Sequence, residues 1–276
     1  MSKNLILSAA VGYNFDQIEF FVKSLRKFYH DSITFLVGKD DNELDNKLKI
    51  FGCDTIKLEI NKKEVQFKRY EIFLNYLKGK NFKNILLCDS RDIYFQGNPF
   101  EFNYKSEINF FLEDNLIKNC PYNSNWILKT YGRKEFEKIS NNVILCSGTV
   151  LGENKKILEY LNLISDNISS FKYKKKLKYL LTLRPDPEGR GCDQGHANYI
   201  VYNSKIKKLS LHSNSKGPVA TALYLKKVQF DEKSYLINET GEPYLVVHQY
   251  DKRWSDFAKA VKNFKININI WLWRAG

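Results

Sequence analysis

Asp89 and Asp92 stand three residues apart in the segment NILLCDSRDIYF, directly after the apolar run at 85–88. Carboxylate oxygens are hard ligands. Mg²⁺ and Mn²⁺ usually take one or two of them, and water and substrate phosphate fill the remaining positions. Residues three apart in a regular strand face opposite sides, so the pair can share one ion only if the chain turns just after Asp89. Arg91, between them, is placed to pair with Asp89 or to meet an anionic ligand. Taken alone, DxxD is equally an acidic turn with a surface ion pair, and other segments must separate the two readings.

Three other segments bear on it. In LVVHQYDKRW (245–254) an imidazole, His248, directly follows a buried strand and could be a third metal ligand, and Lys252 with Arg253 could bind a leaving diphosphate. In GCDQGHAN (191–198), Asp193 and Gln194 open a helix after a glycine-rich turn, where Asp193 would also serve as an N-cap. In CSG (146–148), small residues on a strand let backbone approach a sugar ring or simply pack tightly.

The elements that must position these groups follow from periodicity. An apolar run at 5–11 reads as a strand and 12–14 as a turn, after which Ile18, Phe21, Val22, Leu25 and Phe28 recur at helical spacing. A strand at 32–38, a helix at 43–51, a strand at 54–60 and a helix at 65–77 follow, the last with Gly79 as its stop. The run at 85–88 suits a strand buried on both faces. Further on, a strand is expected at 142–152, helices at 155–164 and 193–202, and a last strand at 244–248. Strands alternating with helices predict an α/β fold with a mostly parallel central sheet covered on both faces, whose ligands sit beyond the carboxyl ends of the strands. The expected organisation is one domain, 1–254, and a basic, aromatic tail, 255–276, whose alternation over 265–271 is more strand-like than helical. Residues 171–190, with KYKKKLK and RPDPEGRG, read as an excursion over the active face.

Composition narrows the function classes. With 43% hydrophobic and 14% aromatic residues over 276 positions, the chain can bury a sizeable core, and no run approaches the roughly 18 apolar residues of a membrane span. Five scattered cysteines without a CxxC pair predict a reducing, cytoplasmic setting and argue against structural zinc. A formal charge of +13 favours anionic partners such as nucleotides or an acidic membrane face. There is no basic recognition motif, so no nucleic-acid partner is expected. The tail mixes Lys with Ile and Trp, as interfacial segments do, which suggests peripheral association with the inner face of a membrane.

In this order the pieces resemble the nucleotide-sugar-dependent glycosyltransferases of the GT-A fold. The likeness is to the glycogenin-like and bacterial lipooligosaccharide galactosyltransferase group and to nucleotide-diphospho-sugar transferase-like proteins. The motifs carrying it are DSRD (89–92), SG (147–148), DQG (193–195), KGP (216–218) and VHQYDKR (247–253). The resemblance implies a Rossmann-like, nucleotide-sugar-binding sheet and Mn²⁺ or Mg²⁺ bridging the diphosphate of a UDP- or GDP-sugar. It implies Asp92 as the main metal-binding acid, Asp89 as its partner and His248 as the later ligand. Ala9, Ala10 and Tyr13 fall where such enzymes hold base and ribose. Arg69 matches a basic position facing nucleotide or sugar, and Lys216 lies in a motif at the diphosphate. Asp193 and Gln194 match the pair beside the transferred sugar, and the acceptor would be a glycan or a lipid-linked glycan. The better-known group carries DxD where this chain has DSRD, so Asp89 either touches metal directly or orders Arg91 and water. Two other readings remain. One is a sugar-phosphate nucleotidyltransferase, although the loop AAVGYNF has one glycine and no cation where those enzymes carry a Gly-rich basic loop. The other is a non-catalytic basic module for membrane or nucleic acid.

Overall fold

A computed structural model describes the backbone of residues 3–182 and 192–275, with side chains for 3–171 and 192–265. The strands, in chain order, are β1 (Leu5–Ala9), β2 (Ser32–Gly38), β3 (Asp54–Leu58), β4 (Asn84–Cys88), β5 (Ile93–Phe95), β6 (Ile108–Leu116), β7 (Val143–Glu153), β8 (Leu209–His212), β9 (Val219–Thr221) and β10 (Val246–His248). The α-helices are α1 (Phe15–Arg26), α2 (Asn42–Ile50), α3 (Val65–Leu77), α4 (Pro121–Tyr131), α5 (Arg133–Ile139), α6 (Asn154–Thr182), α7 (Cys192–Tyr202) and α8 (Trp254–Ala275).

Seven strands form one sheet in the order β3-β2-β1-β4-β7-β6-β8. The first four neighbours run parallel, β7 is antiparallel to both β4 and β6, and β8 is parallel to β6. The result is an α/β fold with a mostly parallel, mixed sheet, compatible with a Rossmann-like arrangement. Two-residue periodicity divides its central strands between two cores. Leu5, Leu7, Ile85 and Leu87 face α3, α6 and α7, whereas Ile6, Leu86 and Cys88 face α1 and α2. Both faces of β4 are therefore covered, as its unbroken apolar run requires. A second, three-stranded sheet, β5-β10-β9, stands beyond the carboxyl end of β4.

The structure revises three expectations. Helix α6 continues to Thr182, well past residue 164 and through the cationic run at 172–178, because Lys and Leu are strong helix formers that sustain it after the apolar period fades. The RPDPEGRG turn lies outside the described residues. The segment read as a strand-like tail is helix α8, on which Ala260 is buried and Phe257, Val261 and Phe264 join a cluster with Phe20, Tyr94 and Tyr250. At least to Phe264 this helix is part of the domain. No helix among the described residues is long and apolar enough to cross a membrane.

Candidate functional site

Strand β4 stops at Cys88 and the chain reverses. The Asp89 N–H donates to the Gly148 carbonyl at 2.9 Å, the Ser90 hydroxyl donates to the Ala9 carbonyl at 2.8 Å, and β5 begins at Ile93. This is the turn that two carboxylates at this spacing need in order to converge. β5 then pairs antiparallel with β10, in register Ile93 to His248, so one short ladder sets the imidazole beside the acidic turn. Gln249 takes the left-handed conformation (φ 57°), and its N–H donates to the Asp92 carbonyl at 2.7 Å, which locks the two segments together.

The resulting cluster is compact. Asp89, Asp92 and His248 each offer a ligand atom, all within 4.8 Å of one another. His248 Nε2 lies 3.5 Å from Asp89 Oδ2 and 3.7 Å from Asp92 Oδ1. It is buried and makes no hydrogen bond. The other ring nitrogen, Nδ1, sits 3.3 Å from Cys146 Sγ, a contact that orients the ring. Gly148 keeps the gap open: a Cβ there would lie 2.4 Å from His248 Cε1, 2.8 Å from Asp89 Oδ2 and 2.9 Å from Nε2. Two carboxylates, one imidazole with an unused nitrogen and a cradle closed to any side chain fit a Mn²⁺- or Mg²⁺-class cation.

The charges agree with that fit. Burial alone would raise the Asp89 carboxyl, but Arg69 and His248 outweigh it and hold the group below the usual carboxylate range. Asp92 is pushed up, first by burial and then by the neighbouring charges of Asp89 and Asp251. Burial lowers His248, yet Cys146, Asp89 and Asp92 together carry it well above an ordinary imidazole. The two acids thus raise the proton affinity of His248, and a cation entering the gap would compete with that proton.

Arg69 is placed differently from the expectation that it faces nucleotide or sugar. Its guanidinium is engaged between two acids, with Nη1 2.5 Å from Asp89 Oδ1 and Nη2 2.9 Å from Asp193 Oδ2. The Tyr70 hydroxyl donates to the same Asp193 oxygen at 2.7 Å. Asp193 is therefore a buried partner of Arg69, 4% exposed, and not a free carboxylate facing a substrate. Arg91 pairs with Asp251 at 2.7 Å and more loosely with Asp92 at 3.6 Å, not with Asp89. Arg253 is also engaged, by Asp256 at 2.5 Å and by the Leu225 carbonyl at 2.6 Å, so it is not available to a diphosphate as expected. Lys252 and Lys216 are exposed. Ala10 lies wholly in the core, its N–H donating to the Leu36 carbonyl and its carbonyl accepting from the Tyr13 N–H, so it does not face a ligand as expected, whereas Ala9 and Tyr13 are partly exposed. Lys62, which the sequence did not single out, lies 4.1 Å above the Tyr13 ring.

Glu113 is the main residue that sequence reasoning missed. It is buried on β6, which had not been recognised as a strand, and its only signal was an acid directly after the apolar run at 110–112. Burial pushes its carboxyl up to about 7, against smaller opposing effects of His248, Gln194 and Cys146. The Gln194 amide links this acid to β7. Its Oε1 accepts from the Ser147 N–H at 3.3 Å, and Nε2 donates to Glu113 Oε1 and to Asn123 Oδ1, each at 3.4 Å. No family model and no curated protein matches this chain.

Proposed function

We propose that the protein is a metal-dependent glycosyltransferase of GT-A type that moves a sugar from a UDP- or GDP-sugar to a hydroxyl of a glycan or glycolipid acceptor. The convergence of Asp89, Asp92 and the unpartnered His248 Nε2 on one gap under Gly148 carries this reading. The site lies beyond the carboxyl end of β4, where open α/β sheets bind their ligands. Those three side chains would hold Mn²⁺ or Mg²⁺, which when bound offsets negative charge on a leaving nucleotide diphosphate.

The surrounding residues have separate tasks. Arg69 occupies Asp89 Oδ1 and leaves Oδ2 directed at the gap. Asp193, balanced by Arg69 and Tyr70, fixes that arginine. Gln194, at the start of α7, presents its carboxamide beside Ser147 and Glu113, where the transferred sugar would lie. Lys216 and Lys252, both exposed, are the cations suited to meet the diphosphate.

Thermal melting with UDP and GDP, with and without Mn²⁺, tests the assignment. A nucleotide at 100 times its dissociation constant should add about 2.7 kcal/mol in the presence of metal. Asp92→Ala should lose that gain and lower sugar transfer by about 10²- to 10³-fold while remaining folded. An equally active, metal-independent Asp92→Ala protein would reject the reading. Diphosphate release from a nucleoside triphosphate and a sugar phosphate would favour the nucleotidyltransferase instead.

A further inference from the structure

Tyr122 is 71% exposed, an unusual position for a large aromatic side chain. It lies one turn before Trp126 on α4, with ring centroids 6.1 Å apart. Trp126 is itself anchored on the start of α7: a Cβ on Gly195 would come within 3.0 Å of the Trp126 Cβ, and Gly195 directly follows Gln194. The same side of α4 is tied there a second time, because Asn123, buried, meets Gln194 at 3.4 Å and donates to Cys120 Sγ at 3.3 Å. Tyr224, in the turn at 222–224, lies near Cys120 and Glu113. Glu113, 1% exposed, keeps one carboxyl oxygen, Oε2, without any partner.

We propose that Tyr122 and Trp126 form the acceptor subsite, and that it takes a pyranose ring. The inference rests on the transferase reading and deepens it by placing the acceptor. A pyranose has an apolar C–H face and a rim of hydroxyls. Aromatic rings match the face, because their quadrupole is negative above the ring. Carboxamide and carboxyl groups match the rim. Here the aromatic surface is narrow and borders the partly exposed Gln194, which Asn123 meets at 3.4 Å and whose neighbour Gly195 packs on Trp126, poor terrain for an apolar partner and good terrain for a polyhydroxylated ring.

The test is a titration of the full-length protein with methyl α-glucopyranoside, methyl β-galactopyranoside and methyl N-acetyl-β-glucosaminide, followed by tryptophan fluorescence. At least one glycoside should bind saturably. Tyr122→Ala should weaken that binding about tenfold, and Tyr122→Phe, which keeps the ring, should restore it. Because Tyr122 is exposed, the melting temperatures of both variants should stay near that of the unsubstituted protein. Failure of every glycoside to bind, or binding by Tyr122→Ala at unchanged affinity, would overturn the subsite. Melting with UDP or GDP and Mn²⁺ on the same samples keeps the two claims apart. Tyr122-dependent glycoside binding without nucleotide stabilisation would retain the subsite and reject the transferase. Nucleotide stabilisation without glycoside binding would do the reverse.

Discussion

Gly148 shows how one missing side chain makes a binding site. A methyl group at this position would need the space between His248 and Asp89, with its nearest contact only 2.4 Å away. Both neighbours are held in place, His248 by Cys146 and Asp89 by Arg69, so neither can move aside cheaply. Gly148→Ala should cost about 1–3 kcal/mol of stability by overpacking. It should also abolish the effect of Mn²⁺ on nucleotide binding, which melting curves with and without the metal would show. Glu113 supplies a pH signature. Burial pushes its carboxyl from the ordinary value of 4.5, which it keeps in the unfolded chain, up to about 7 in the native protein. Below the lower value both states are protonated, and the group does not oppose folding. As pH rises through the native value, the unfolded chain has already ionised and stability falls, by about 3 kcal/mol in all. Glu113→Gln should therefore be more stable than the unsubstituted protein at pH 8 and nearly equal to it at pH 4, as urea unfolding at the two pH values would measure.

Among the elements, the pairing of β5 with β10 brings the site together, and α8 supports it from behind. Tyr94 of β5 is buried against Phe20, Tyr250 and Phe264, with ring centroids 4.9, 5.2 and 5.7 Å away. Phe264→Ala should therefore destabilise the protein by about 3–5 kcal/mol, read by denaturant unfolding, whereas a loosely attached tail would register almost nothing. The elements also differ in how plainly the sequence announced them. β2 at 32–38 and α3 at 65–77 match their expected bounds because apolar periodicity and turn residues agree there. β6 was missed: Glu113, Asp114 and Asn115 interrupt its pattern at the very place where it enters the site. α8 was misread because Lys and Asn alternating with Ile mimic a strand locally, while its apolar face at 257, 260, 261 and 264 recurs at helical spacing.

Across the whole molecule, the sequence determined the layered α/β plan, the strand that ends in acids, and the residue types able to hold a divalent cation. Each of these depends on neighbours along the chain, through side-chain alternation, helical period and turn chemistry. Tertiary structure decided which charges are occupied and which face the gap. Asp92 and His248 stand far apart in the chain yet meet within 3.7 Å, and Arg69 lies between Asp89 and Asp193 instead of facing a ligand. The buried Glu113 and the exposed aromatic pair on α4 likewise acquire meaning only from what packs beside them. The reason is physical: local periodicity fixes which face of an element is apolar, but the partner of a charged group is set by the register and packing of strands and helices distant in sequence, which no local pattern encodes.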